Sequence, residues 1–263
     1  MILLSNDDGV RADGIKVLAR ALHEAQYDIT VVAPAEEQSG ASHSMTFFKQ
    51  HIIAPFEGDY PPGVPVYSCT GTPSDCVLLG TETYARGAEC VITGINRGAN
   101  LGGDVTYSGT VGAAMEAVIT GRRAIAVSLA FMKKEEQRPD FRDNVPANYA
   151  TAAHVAVRVV KWLERTALPD GVLLNVNVPD VPLPELKGIK ITRQGIKKYA
   201  DRVVRIPHGE DFTYSITGTV VEVLEEGTDV WAVAGGYASV TPIHLDLTCY
   251  PAIEVLKPLE LDN

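Results

Sequence analysis

Asp7 and Asp8 follow a short apolar run, Ile2-Leu3-Leu4, and precede Gly9. An apolar run cut off by a turn signal reads as a buried strand feeding a loop. Two adjacent carboxylates at a strand end repel each other, and one is driven to take a proton unless a cation sits between them. The pair is therefore read as the nucleus of a metal site. The plain alternative is that Asp-Gly is a turn and the aspartate a helix cap. What decides between them is how many other strands end in comparable clusters.

Two more do. Ile29 to Pro34 is a buried strand stopped by proline, and it leads into a loop, residues 36–44, rich in small hydroxyl residues and containing Ser39. Glu89 to Ile95 is another strand, and it ends in Asn96-Arg97-Gly98. Parallel buried strands present their carboxyl ends on one edge of a sheet, where ligands bind in open α/β folds. Asp7, Asp8, Ser39 and Asn96 together offer two carboxylates, a hydroxyl and an amide carbonyl. These are hard oxygen ligands that suit Mg²⁺ or Mn²⁺, whereas zinc prefers His or Cys. A single divalent cation per chain is the expected cofactor.

The glycine-rich stretch after Asn96 runs into Ser108-Gly109-Thr110 and then a helix over 112–119. A helix start of this kind presents backbone N–H groups, two hydroxyls and the positive end of a helix dipole, which together form an anion cradle. Simple capping by Ser108 or Thr110 is the competing reading. The stretch is not a P-loop, because the G-x-x-x-x-G-K-[ST] lysine is missing. A divalent cation beside a phosphate cradle means phosphoryl transfer or phosphate hydrolysis.

The elements that must position these groups follow from periodicity. Gly14 to Gln26 carries Ile15, Leu18, Ala19 and Leu22 on one face, so it is an amphipathic helix joining the first two strands in a βαβ unit. The first βα turn lacks G-x-G-x-x-G, which speaks against a dinucleotide. Short β segments broken by prolines occupy 46–70. A helix capped by Thr72 with Pro73 at its first position follows. Further strands are expected at 122–129, 172–178, 189–192 and near 244–248. A helix is expected over 148–163 with Trp162 in its core face, and an exposed charged loop over 133–143. From Gln194 the pattern becomes alternating β with no covering helix, an arm expected to find its surface on another subunit or on the core.

The expected architecture is thus α/β: a Rossmann-like, mostly parallel sheet flanked by helices with a C-terminal β-hairpin extension. Its parts are a catalytic core over 1–193, an arm over 194–228 and a return to the core over 229–263.

With 263 residues the chain is long enough for a full core. Its net charge of −10 argues against a nucleic-acid polymer or an anionic membrane as partner. It leaves room for a phosphorylated substrate, since one cation inverts the local field. No apolar stretch approaches about 18 residues, so neither a signal peptide nor a transmembrane helix is expected, and the expectation is a cytoplasmic protein. Cys69, Cys76, Cys90 and Cys249 have neither C-x-x-C nor zinc spacing and read as buried thiols.

The motifs MILLSNDDGV, S-G-A-S-x-S, GTPSDC, TGINRGANLGGDVTYSGTVGAAMEA and GYASVTPIHLDLT, in that order and spread over most of the chain, resemble the SurE family of survival-protein nucleotidases. The resemblance implies a metal-dependent phosphatase acting on nucleoside 5′-monophosphates, in some members on 3′-monophosphates and short polyphosphate as well. It also implies homodimers or homotetramers that exchange the C-terminal β extension. By motif position Asp7, Asp8, Ser39 and Asn96 would bind the metal, and Asn96, Asn100, Ser108, Gly109 and Thr110 the phosphate. Asp7 or Asp8 would orient the attacking water. His43 stands where family members can carry asparagine, so no required catalytic role is assigned to it; it is the available candidate for protonating the leaving oxygen, and a metal-bound water is the alternative. The chain departs from the family at Ala117, where a glycine is expected. A haloacid-dehalogenase-type site would need Asp-x-Asp, which is absent. The rival from another class is a nucleotide- or phosphate-sensing module that binds without hydrolysing.

Overall fold

Strands Ile2–Ser5 (β1) and Ile29–Pro34 (β2) are buried at every position, as strands covered on both faces must be. Helix Asp13–Glu24 (α1) joins them and buries Ile15, Leu18, Ala19 and Leu22, the stripe that the 3.6-residue period places on one side. Both strands belong to a computed structural model that describes residues 1–131, 148–200, 203–208, 211–216 and 219–259.

The other strands are Ile53–Pro55 (β3), Val66–Cys69 (β4), Cys90–Arg97 (β5), Arg123–Ala130 (β6), Val172–Pro179 (β7) and Ile189–Ile191 (β8). Four more, Ile196–Ala200 (β9), Val203–His208 (β10), Asp211–Ile216 (β11) and Thr219–Val223 (β12), build the arm, and Ala238–His244 (β13) returns to the core. The nine-stranded sheet has the order β3-β4-β2-β1-β5-β6-β7-β13-β8. From β4 through β7 neighbouring strands are parallel. The antiparallel pairs, β3 with β4 and β7 with β13, lie towards the two ends.

The chain winds outward from β1 through β2 to β4, then crosses back to β5 on the other side of β1. That reversal makes the gap between β1 and β5 the topological switch point, where the strand ends splay apart and a crevice opens.

Helices Pro73–Glu82 (α2), Gly109–Ile119 (α3) and Tyr149–Leu163 (α4) cover the sheet. Successive strand residues point to opposite faces. Leu4, Ile92 and Ile125 accordingly pack in one core with α1 and α4, and Leu3, Val91 and Ala124 in another with α2 and α3. Short helices Asp229–Ala234 (α5) and Tyr250–Leu256 (α6) complete the fold.

The arm is a hairpin in which β10 pairs with β11 and β9 with β12. Val203, Val204, Ile206, Phe212 and Tyr214 lie exposed on it.

Several local expectations shift. The last strand ends at His244 rather than running through 244–248. Helix α3 begins at Gly109, because Ser108 caps it. Trp162 is half exposed: the buried stripe of α4 centres on Ala152, Ala156 and Leu163, and Trp162 lies roughly 100° round the helix from it. Cys69, Cys76 and Cys90 are buried thiols as expected, but Cys249 is exposed. The loop expected over 133–143 lies outside the described residues.

Candidate active site

At the switch point β1 gives way to Asn6-Asp7-Asp8-Gly9. The Asn6 side chain donates to the Gly9 carbonyl at 2.9 Å, closing a tight turn that throws both aspartates towards the neighbouring strand ends. Asp7 is 4% exposed. Its Oδ1 accepts from the Thr110 hydroxyl, and its backbone carbonyl accepts from Gln38 N at 2.7 Å. Asp8 Oδ2 accepts from Arg97 N, just past Asn96, at 3.1 Å. The other two segments singled out in the sequence therefore do converge on the aspartates, each joined to them by a backbone N–H one residue from Ser39 or Asn96.

Burial raises the Asp7 carboxyl above its ordinary range, and the Thr110 hydroxyl offsets this only in part. Asp8 is pushed up to about 7, first by burial and then by the charge of Asp7. Glu37, which sequence reasoning passed over, adds to the negative field on both. Paired carboxylates that hold a proton this readily are short of positive charge, and a cation satisfies the same deficit.

Among the described residues no three His, Cys, Asp or Glu side chains gather into a metal cluster. A cation here would rest on Asp7 and Asp8 together with neutral oxygens, which suits Mg²⁺ or Mn²⁺. Asn96 donates its amide nitrogen to the Gly98 carbonyl at 3.0 Å, so Oδ1 is the atom it can offer a ligand. Ser39 stands next to Gln38, but its hydroxyl donates to Glu37 at 2.6 Å.

Helix α3 starts against the aspartates. A Cβ on Gly109 would lie 3.0 Å from the Cβ of Asp7, so glycine is what lets the helix N-terminus come this close. Ser108 Oγ accepts from Val111 N at 3.0 Å, the capping reading, and keeps its own hydrogen for a ligand. Thr110 spends its hydroxyl on Asp7.

Asn100 is buried and held from several sides. Its side chain donates to Ser128 Oγ at 2.8 Å, its backbone N–H donates to Asn177 Oδ1 at 2.8 Å, and its carbonyl accepts from Asn175 and Asn177. Asp229 accepts from the backbone N–H groups of Gly102, Gly195 and Val230, tying the glycine-rich loop to the root of the arm. Nothing in the local sequence around Asn175, Asn177 or Asp229 marks this role. His43 rests over the second turn of α3, with Nε2 2.9 Å from Glu116 Oε2.

The family model described as "Survival protein SurE" matches residues 2–201. The chain belongs to the SurE family. It is 41% identical over 261 residues to the 5′-nucleotidase SurE of Synechococcus sp. (strain JA-3-3Ab), covering 97% of this chain and 96% of that one. It is 44% identical over 255 residues to the 5′-nucleotidase SurE of Marinomonas sp. (strain MWYL1), covering 95% and 94%. The crystal structure of the SurE protein from Aquifex aeolicus superposes with a TM-score of 0.82 at 39% identity, covering 99% of both chains. The mostly parallel sheet with helices on both faces and an appended hairpin is thus shared with a solved SurE-family fold. Among the described residues no helix is long and apolar enough to cross a membrane.

Proposed function

We infer that this SurE-family chain is a 5′-nucleotidase, a phosphomonoesterase that hydrolyses nucleoside 5′-monophosphates to nucleoside and phosphate. The observation that carries the reading is the Asp7–Asp8 pair at the switch point, with Asp7 buried and Asp8 half-buried, facing the N-terminus of α3. The relatives bearing the name 5′-nucleotidase support it. Activity on 3′-monophosphates or short polyphosphate is a finer question that the same assay answers.

Asp7, Asp8, Asn96 and, after turning from Glu37, Ser39 would hold one Mg²⁺ or Mn²⁺. When bound, such a cation supplies Lewis-acid polarisation of the phosphoryl group and favours deprotonation of water. Backbone N–H groups at the start of α3 and the Ser108 hydroxyl receive the phosphoryl oxygens, where the dipole favours negative charge. Asn100 keeps the preceding loop in register. Asp8 accepts a hydrogen from the attacking water and orients it in line with the departing ester oxygen. His43 gives that oxygen a proton. The exposed apolar side chains of the arm support assembly into a homodimer or homotetramer.

The test is phosphate release from AMP, GMP, CMP, UMP, a 3′-nucleotide and short polyphosphate, each with Mn²⁺, Mg²⁺ or EDTA, for the wild type and Asp8→Ala. Release that needs the metal and vanishes in the variant is the expected result. Release that ignores EDTA would remove the metal from the reading. Nucleotide binding without release would make the protein a sensor.

A further inference from the structure

Glu116 is a carboxylate in the middle of an apolar helix. It is 5% exposed, and Ala113, Ala114 and Ala117 around it are fully buried. A charge placed there is costly unless it is paired. Its partner comes from 73 residues away: His43 Nε2, at 2.9 Å.

A purely structural pair would explain the burial of Glu116 but not the place of His43. Gly109, Gly112 and Glu116 lie along one stripe of α3, spaced three and then four residues apart. At the first of these the helix touches Asp7. At the second, a Cβ would lie 2.7 Å from His43 Cα and 2.8 Å from its nitrogen. The loop is fastened at the same point by Ser42, whose backbone N–H donates to the Tyr107 carbonyl at 3.2 Å and whose hydroxyl donates to the Thr106 carbonyl at 2.7 Å. Asp7 and the backbone of His43 are therefore laid against positions of one helix only about 4.5 Å apart along its axis, and the imidazole reaches from there to Glu116. The pair also has a dry end and a wet end: the Glu116 side chain is 7% exposed and that of His43 29%.

We propose that Glu116 is the positioning residue for His43, holding the imidazole by Nε2 so that Nδ1 faces the departing ester oxygen. The inference rests on the nucleotidase reading and adds a residue to it. A carboxylate on one ring nitrogen fixes both the tautomer and the ring orientation. In the step it serves, water oxygen forms a bond to phosphorus while the bond from phosphorus to the 5′ oxygen breaks. The electron pair of that bond goes to the 5′ oxygen, which takes the Nδ1 proton of the imidazolium. The neutral ring keeps its Nε2–H on Glu116 and regains a proton from solvent, and the proton of the attacking water leaves through Asp8. The products are nucleoside and phosphate. Glu116 touches neither substrate nor reacting atom.

The experiment compares AMP with p-nitrophenyl phosphate for wild type, His43→Asn, Glu116→Gln and the double variant, in the full-length protein with Mn²⁺. An alkoxide needs a proton to leave and a nitrophenolate does not, so the proton donor matters for one substrate only. Both single variants should lose about 100-fold in kcat on AMP, with a loss on p-nitrophenyl phosphate at least tenfold smaller by the same reasoning. The double variant should lose no more than either single one. Equal losses on both substrates in Glu116→Gln would overturn the proposal in favour of a structural pair. So would a loss in His43→Asn that Glu116→Gln does not share.

Should Glu116→Gln fail to fold, ¹⁵N NMR of the wild-type His43 ring decides the matter. Protonation of the neutral ring at Nε2 is expected, and protonation at Nδ1 overturns it. A wild type inactive on both substrates overturns the nucleotidase reading and this inference with it. A wild type active on both, with Glu116→Gln unimpaired, overturns this inference alone.

Discussion

Asp75 and the Asp7–Asp8 pair both stand where a strand hands over to a helix N-terminus, yet the fold treats them in opposite ways. Burial alone would raise Asp75, but the hydrogen bonds it accepts outweigh that and hold its carboxyl below the usual range. It accepts from Thr46 N at 3.0 Å, Thr46 Oγ1 at 2.7 Å and Thr72 N at 2.9 Å, while Thr72 Oγ1 accepts from Asp75 N to complete a capping box. Asp7 has the Thr110 hydroxyl and Asp8 the Arg97 N–H, too little to offset their burial. A carboxylate that serves the fold is saturated by donors from its own chain. One that serves a ligand keeps lone pairs in reserve and is costly to hold charged without it.

The comparison is broken most sharply by exchanging the two roles. Asp8→Ala should lower kcat/KM on AMP by about three orders of magnitude, equivalent to several kcal/mol of transition-state stabilisation. In EDTA its melting temperature should match or exceed that of the wild type at pH 8. A large fall in melting temperature with activity retained would show that Asp8 is a structural carboxylate after all. Asp75→Ala should do the reverse. Urea unfolding should show a loss of about 2–3 kcal/mol from the orphaned donors, with kcat of the folded fraction changed only a few-fold.

A smaller effect follows from the opposite pKa shifts. The folded-state pKa of Asp8 lies at about 7 against an ordinary 3.8. Its stabilising contribution is complete below the unfolded value and is lost as pH rises through about 7. Asp75, shifted down, contributes above its unfolded value and loses that as pH falls through its folded one. Calorimetry in EDTA should therefore show the wild type losing about 1–2 kcal/mol between pH 5 and 8, after relaxation and water entry have reduced the shift. The loss should be smaller in Asp8→Asn, where Asp7, also raised by burial, still contributes, and it should be reversed by Mn²⁺ at pH 8 in the wild type. The smallest effect is that of Thr72→Ala, about 1 kcal/mol for one half of a capping box, read in the same urea titration with activity unchanged.

Much of the frame of this contrast was legible in the sequence. Strands β1, β2 and β5 announced themselves as short apolar runs, and polar residues at or just beyond their carboxyl ends meet near the aspartates, although β2 itself stops at Pro34 and β5 runs on through Asn96 to Arg97. Thr72 and Pro73 marked the start of α2. Ser108 was readable as a cap, and it is one. The reading slipped where the signal was weak or the side chain lay at the flank of its element, as at Trp162 and at the end of β13.

What the local sequence determined, then, was each element and the edge of the sheet on which its end would lie, because burial of an apolar stripe is settled within a few residues of chain. It did not distinguish Asp75 from Asp7, since each is an aspartate beside a turn. That distinction lies in partners far along the chain. Thr46 reaches Asp75 across 29 residues, Asn175 and Asn177 reach Asn100 across 75 and 77, and Asp229 reaches Gly102 across 127. Which donors arrive depends on which strands become neighbours. The crossover from β4 back to β5 decides that, and with it which buried carboxylates are left short of hydrogen bonds.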